Sequence, residues 1–501
     1  MTATRTPGVP VVEDGELIST NPASGAEVGR FPVASPQDVR AAVERGRDAS
    51  AWWAGLGNTR RRQAMLRWAS LLANRVEDIA ELINRESGKP AAEGVVECFA
   101  ALDHLAWAAR HAQRVLKLRR MRSSLTLIEH SAYLEYQPYG VIGVIGPWNY
   151  PIFTPMGSIA YALAAGNAVV FKPSEYTPAV GQLIADTFAE IVPDHPVLQV
   201  VHGMGDVGAA LTQAGTDKIA FTGSTATGKK IMAACAESLT PVLLECGGKD
   251  AMIVDADADL DAAASAAAWG GLTNAGQTCI GIERIYVVDA VHDAFVGKLV
   301  AKAGALTVGA GDGADIGPIT MPAQIDTIRR HIGDALERGG TAAMGGLDAV
   351  SAPYVRPTIL LDVPEDSAAV RAETFGPTLT VKRVADADEA VRLANGLRYG
   401  LGGSVFGKRD AMRIARRLRS GMTSINSTLT FAGMPSLPFG GVGDSGFGRI
   451  HGADGLREFA WPKAITRRRA RSLLPATSFE RTPKQVEMIK RVIKTMHGRK
   501  R

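Results

Sequence analysis

The sequence predicts an α/β protein: two doubly wound parallel-sheet domains plus a small β-hairpin element. Three observations carry that expectation. Short apolar runs alternate with helical stretches from Val141 to about Asp255, and the same rhythm repeats from Ala251 to about Ser420. Each run stops at Gly, Pro, Asn or another polar residue, as strands of a parallel sheet with crossover helices do. The 501 residues, 46% hydrophobic and 21% charged, have the balance of a soluble globular chain that buries a large core without disulfides or metals.

In chain order, residues 1–20 read as a polar arm. Ser35-Pro36 reads as an N-cap and first helical position, opening a helix to about Trp53. Helical periodicity continues over 60–84 and 91–116. Ser124–Glu129 and Ala132–Gln137 alternate apolar and polar residues, with His130-Ser131 as the turn of a hairpin. The first α/β rhythm offers strands at Val141–Ile145, Ala168–Phe171, Leu198–His202, Lys218–Phe221 and Pro241–Glu245. The second offers Ile253–Val254, Arg284–Val288, Thr358–Leu361, Leu379–Val384 and Gly403–Phe406.

Four cysteines without a CxxC spacing argue against a disulfide scaffold and structural zinc, so no metal is expected. The first residues lack a basic-then-apolar signal pattern, and no apolar run reaches about 18 residues; a cytoplasmic protein is expected. The net charge of +5 is unevenly spread. Residues 467–501 hold 12 basic and 2 acidic side chains, which leaves −5 on the rest. The basic balance belongs to an appendage and does not argue for nucleic acid as a partner.

Several segments carry groups suited to chemistry. Cys279 ends Asn274-Ala275-Gly276-Gln277-Thr278, with no apolar period around it; a loop cysteine is either a small buried hydrophobe or a nucleophile. Glu245 ends an apolar run before Gly247-Gly248: a solvated turn carboxylate, or a general base at the C-terminal edge of a parallel sheet. Trp148-Asn149 lies between Pro147 and Pro151, a rigid turn that can also fix an amide as donor to an oxyanion. Lys172 and Glu175 sit just past a strand, where such a pair can bind ribose hydroxyls. Thr222-Gly223-Ser224-Thr225-Ala226-Thr227-Gly228 should open a helix whose N-terminus suits pyrophosphate; it is neither GxGxxG nor a P-loop. Glu373-Thr374-Phe375-Gly376-Pro377 and the glycine-rich run Pro438–Arg449 complete the set, the latter a surface turn or a lid or channel wall.

In order, from about residue 20 to 465, these segments resemble the aldehyde dehydrogenase superfamily. The resemblance implies that Cys279 is the nucleophile, giving a thiohemiacetal and then a thioester, and that Glu245 activates the water that releases a carboxylic acid. Asn149 and the Cys279 N–H would hold the oxyanion. It implies NAD(P) contacts from Trp148, Lys172, Glu175, Gly223, Ser224, Gly228, Glu373 and Phe375. Glu175 favours NAD, with NADP as the alternative, because a carboxylate accepts from a 2′-OH and repels a 2′-phosphate. Cys246 departs from the usual Leu. The implied division is a dinucleotide-binding domain (20–123 and 143–247), a catalytic domain (248–425) and an oligomerisation element (124–142 and 452–466), in which the hairpin near Ser124–Gln137 pairs with a strand near the C-terminal end of the core, giving a homodimer or homotetramer. Apolar candidates for the substrate wall, Tyr150, Phe153, Ile280 and Phe431, favour hydrophobic aldehydes. The Cys279–Arg284 stretch resembles semialdehyde dehydrogenases, which keeps succinate semialdehyde as the alternative. Acylating and catalytically silent relatives fit less well, since Glu245, Cys279 and Asn149 are all present.

The tail 467–501 lies beyond the resemblance. Pro483 suits a first helical position, and Val486, Ile489, Val492, Ile493 and Met496 fall on one arc opposite Lys484, Glu487, Lys490, Arg491 and Lys494. Two readings stay open: a helix docked on the enzyme's own acidic body, or a basic amphipathic helix in peripheral contact with an anionic membrane.

Overall fold

A computed structural model describes residues 7–124, 127–311, 313–470 and 478–498. Two sheets organise it. In the first, Val242–Cys246, Lys218–Gly223, Val141–Ile145, Ala168–Lys172 and Leu198–Val200 lie side by side in that spatial order, all parallel. In the second, Thr358–Leu361, Thr378–Val384, Ile282–Val288, Asp250–Val254 and Gly403–Phe406 are likewise parallel. All ten anticipated strands are present, because strands buried on both faces stand out as short apolar runs between helices. Edge strands that sequence reading passed over, Thr341–Met344 (antiparallel) and Ser424–Ile425, extend the second sheet.

The helix after Ser35 forms as its sequence dictates. The Ser35 hydroxyl accepts the Asp38 N–H, the Asp38 carboxylate accepts the Ser35 N–H, and Pro36 opens a helix that runs to Gly55. The 60–84 periodicity resolves into two helices, Gly57–Ala73 and Val76–Ser87, broken at Asn74-Arg75. The long helix Ala91–Leu116 packs on Phe153–Ala165 and becomes central to the site.

Two expectations need correction. Within 1–20, Val11–Glu13 and Glu16–Thr20 are strands of a three-stranded antiparallel sheet with Glu27–Pro32, and Leu17 and Ile18 are buried. Their apolar content is too short to show a period. The hairpin of Ser124–Glu129 with Ala132–Gln137 does not form as expected. Leu125 and Thr126 lie outside the described residues, 127–129 is a turn, and His130-Ser131 lies inside a strand, His130–Pro138. Its local partner is instead Arg119–Met121, and over nine residues it pairs with Ala460–Arg468, the C-terminal strand that the resemblance implies. Non-local pairing of this kind leaves no turn signature in the sequence. Buried Asn167 ties the small sheet to the large one: its Nδ2 donates to the carbonyls of Ala162 (2.9 Å) and Phe459 (2.8 Å), and its Oδ1 accepts the Gly140 N–H.

The glycine-rich run packs along a seam. Gly446–Phe447 adds an antiparallel strand beside Val242–Cys246, and the Ser445 hydroxyl donates to the Gly247 carbonyl at 2.9 Å. A side chain on Gly446 (φ +96°) would run into the Leu244 carbonyl. The glycines let one backbone lie against another at the seam between the two halves.

Candidate active site

One cavity of about 600 Å³ opens along the C-terminal ends of the first sheet's strands and reaches the second half. Open α/β sheets bind ligands at such strand ends. Its lining includes Trp148, Asn149, Lys172, Glu175, Gly223, Ser224, Glu245, Cys279, Glu373 and Phe375, so ten of the eleven nominated residues meet in one space. Gly228 does not line it. It lies inside the helix Thr225–Ala236, where an added Cβ would sit 2.9 Å from the Cys246 sulfur, so its role here is close helix–strand packing.

The Cys279 end is built from two interlocked loops. Asn274, Ala275 and Gly276 follow one another in left-handed conformation (φ 51°, 54° and 72°). The Asn149 amide donates to the Gln277 carbonyl at 2.9 Å, and the Asn274 amide donates to the Asn149 carbonyl at 2.9 Å. The Tyr150 and Thr278 hydroxyls are 2.8 Å apart. An amide NH₂ carries two hydrogens. Asn149 spends one on the neighbouring loop and keeps one to donate, with its side chain held against rotation.

Charge at this end is desolvated. Burial pushes Glu245 up to about 8, with Glu373 and Asp250 adding repulsion, and Oε1 of Glu245 has no hydrogen-bond partner among the described residues. Burial likewise takes Glu373 to about 8 and Asp250 to about 7. Burial raises the Cys279 thiol well above its usual range, and Glu245, Glu373 and Asp250 raise it further. A thiol in these surroundings stays protonated near neutrality, and the carboxyl beside it passes between acid and base just above.

The other end suits a dinucleotide. Ser224 caps the helix Thr225–Ala236, presenting the helix N-terminus to the cavity. Gly205 and Gly208 form an open flank where an added Cβ would meet nothing closer than 4.0 Å. Lys172 and Glu175 form an ion pair at 2.9 Å, and Trp148 stands edge-on to Phe375 with ring centroids 5.6 Å apart. This donor set and these walls fit NAD(P): a phosphate-binding helix end, a ribose-binding pair and aromatic walls.

Sequence reading missed what holds Glu373 and Phe375 in place. The Glu283 carboxylate pairs with the buried Lys249 ammonium and accepts the backbone N–H groups of Thr374 (2.8 Å) and Phe375 (3.1 Å). Lys249 also donates to the Thr374 hydroxyl at 3.0 Å. The GGK spacing after Glu245 and the acid four residues after Cys279 were the available signals. Asp250, which accepts the Gly402 N–H at 3.0 Å, was missed too.

Ile280, Phe431 and Phe439 belong to a large apolar core against which Phe153 and Cys279 pack, and none of the three nor Phe153 lines the cavity. Tyr150 is instead tied into the loop network, under the Lys89 ammonium. His104 and His451, whose rings are 3.7 Å apart, lie against Phe153, and His451 lies against Phe439 as well. Burial lowers His104 to about 4 and His451 well below its usual value, so both are neutral at pH 7.

The electrostatics give a direct expectation. At pH 9 Glu245 is ionised, and its charge opposes the thiolate. Glu245→Gln removes that charge, lowers the thiol pKa, and should speed alkylation of Cys279 by iodoacetamide roughly two- to tenfold. Mass spectrometry of the Cys279 peptide reads the rate; slower alkylation contradicts the repulsion.

Comparison with known proteins agrees with this geometry. A profile of the aldehyde dehydrogenase family matches residues 11–465. The chain is 38% identical over 459 residues to a 4,4'-diapolycopene aldehyde oxidase of Methylomonas sp., covering 91% of this chain and 86% of that one. It is 35% identical over 460 residues to a glutarate-semialdehyde dehydrogenase of Pseudomonas aeruginosa, covering 89% and 93%. The crystal structure of an NAD-dependent aldehyde dehydrogenase from Sinorhizobium meliloti superposes with a TM-score of 0.87 at 33% identity, covering 93% of this chain and 92% of that one.

Proposed function

This chain belongs to the aldehyde dehydrogenase family, and within it we propose an enzyme for hydrophobic aldehydes that acts through Cys279, Glu245 and Asn149. It is an NAD(P)-dependent oxidoreductase that converts an aldehyde to a carboxylic acid; NAD- and NADP-dependent enzymes both occur among its relatives.

An aldehyde is a poor hydride donor until a nucleophile makes its carbon tetrahedral. In this reading the Cys279 thiol loses its proton to solvent, its sulfur bonds to the carbonyl carbon as the C=O π bond opens, and the new alkoxide accepts from the remaining Asn149 N–H and the Cys279 backbone N–H. The chemistry NAD(P) supplies when bound is hydride acceptance. Loss of hydride leaves a thioester on Cys279. Glu245, ionised, takes a proton from water as its oxygen attacks that thioester, releasing the acid and the thiol. Since Glu245 titrates near 8, its base form grows toward alkaline pH. Lys172, Glu175, Gly223, Ser224, Glu373, Phe375 and Trp148 are assigned to NAD(P), with Gly228 supporting the helix end. Glu175 favours NAD.

One observation supports the substrate class: Ile280 directly follows Cys279, and Cys279 and Phe153 pack against an apolar core that also holds Phe431 and Phe439. A semialdehyde's distal carboxylate gains most from a guanidinium or ammonium partner. The test is a panel of decanal, benzaldehyde, succinate semialdehyde and glutarate semialdehyde, each with NAD and NADP, followed by absorbance of the reduced cofactor. The expected kcat/KM is at least tenfold higher for the hydrophobic aldehydes and for NAD. A semialdehyde preference overturns the substrate assignment, and an NADP preference overturns the role given to Glu175.

We assign 20–123 and 143–247 to dinucleotide binding, 248–425 to catalysis, and 124–142 with 452–466 to oligomerisation. What supports a homodimer or homotetramer is the nine-residue strand Ala460–Arg468, an open edge of the small sheet. Four free cysteines suit the reducing cytoplasm. No helix among the described residues is long and apolar enough to cross a membrane.

Of the two readings of the tail, peripheral contact with an anionic membrane is preferred. The helix Pro483–His497 has a Thr482/Gln485 capping box and no buried residue. Val486, Ile493 and Met496 are exposed along its apolar stripe, so the body does not cover it. Each basic residue near an anionic surface adds about 1 kcal/mol, screened by salt. A chain ending at Ala470 keeps the strand Ala460–Arg468 intact. It should lose the cosedimentation with phosphatidylserine vesicles at low salt that the full chain displays, with unchanged kinetics on short aldehydes. Failure of the full chain to bind removes the membrane reading.

A further inference from the structure

The loops that carry Asn149 and Cys279 come from distant parts of the chain, and a third element grips both from behind. Glu93 and Glu97 stand four residues apart in the first turns of the helix Ala91–Leu116, hence on one face. The Glu93 carboxylate accepts the Thr273 hydroxyl at 3.0 Å, and the Asn274 backbone N–H reaches its two oxygens at 3.1 and 3.0 Å. That N–H belongs to the first of the three left-handed residues, where no strand or helix supplies an acceptor. Glu97 serves the other loop. Its Oε1 accepts the N–H groups of Ile152 (2.9 Å) and Phe153 (3.1 Å), just past Asn149. Its Oε2 is held by Lys89 Nζ at 2.6 Å, with both side chains fully shielded from solvent, and the same ammonium lies 3.9 Å from the centre of the Tyr150 ring.

We propose that Glu93 and Glu97 are positioning residues that set the register of Asn149 against Cys279, one carboxylate clamping each loop from a single rigid helix. The proposal rests on the roles given above to Cys279 and Asn149. A helix is stiff, and a charged acceptor on a backbone N–H is about twice as strong as a neutral one. A spacing fixed along the helix therefore becomes a spacing between two loops. Misplacement of reacting groups by about 1 Å can cost about a hundredfold in rate. Neither carboxylate lines the cavity, so the effect should fall on the chemical step and spare cofactor binding.

The test uses the full chain with decanal and NAD. Glu93→Ala should slow the pre-steady-state burst of NADH at least thirtyfold while the NAD dissociation constant, read by protein fluorescence, stays within threefold. Glu93→Gln, which keeps a carbonyl acceptor, should recover most of the burst rate. A Glu93→Ala burst within threefold of the parent, or an equal loss of NAD binding, overturns the proposal. Should Glu93→Ala fail to fold, Thr273→Val carries the test: it removes only the hydroxyl donor, a three- to tenfold slower burst is expected, and an unchanged burst overturns the proposal. Cys279→Ala run alongside separates the layers. Turnover surviving there overturns the assignment of Cys279 itself. An inactive Cys279→Ala with unaffected Glu93 variants overturns the positioning proposal alone.

Discussion

Three consecutive residues, Asn274, Ala275 and Gly276, are held in left-handed backbone conformation, and the site stands on that bend. For a residue with a Cβ this conformation costs about 1–2 kcal/mol, so Ala275 in particular persists only because its surroundings over-determine it. Hydrogen bonds from Asn274 to the Glu93 carboxylate and the Asn149 carbonyl, and one from the Gln277 side-chain amide to the Asn274 carbonyl, supply the restraint. At Gly276 even a methyl would meet the Gly376 carbonyl. The bend brings Cys279 into the same cavity as Asn149 and Glu245, residues 130 and 34 positions away in the chain.

The second constraint is electrostatic. Glu245, Glu373 and Asp250 are all buried near a thiol that is itself buried, and each raises the cost of charging another. Such a pocket is costly for stability and useful for chemistry, as functional sites commonly are. Desolvation keeps Glu245 near the point where it can both lose and accept a proton. Glu283, by contrast, is held by Lys249 and two backbone N–H groups. Oε1 of Glu245 has no hydrogen-bond partner among the described residues, nor has Oδ2 of Asp250, and in the proposed reading it is the Glu245 oxygen that meets water.

What the sequence made legible follows from range. The parallel strands showed themselves as apolar runs, and the helix at Pro36 and the tail helix at Pro483 announced themselves by their caps. Cys279, Glu245 and Asn149 were visible because each ends a strand or loop with its own local signature. Glu93 was not, since its contact with Asn274 spans 181 residues and a glutamate in a helix looks solvated. The N-terminal strands were too short to show alternation. The pairing of His130–Pro138 with a strand near the C-terminal end of the core, Ala460–Arg468, is as the family resemblance implies, while its local partner is Arg119–Met121 rather than Ser124–Glu129. The packing of the glycine-rich run was not legible for a related reason: glycine signals close approach but not what approaches.

The central claim is a division of labour in one dry pocket, with Cys279 forming the thioester and Glu245 needed only to hydrolyse it. Rapid mixing of Glu245→Gln with NAD and aldehyde measures the two halves separately. The account predicts an NADH burst approaching one per Cys279 at close to the parent rate, followed by steady turnover reduced about a hundredfold or more. Burst and steady rates falling together would contradict it, because Glu245 would then be required before the thioester exists.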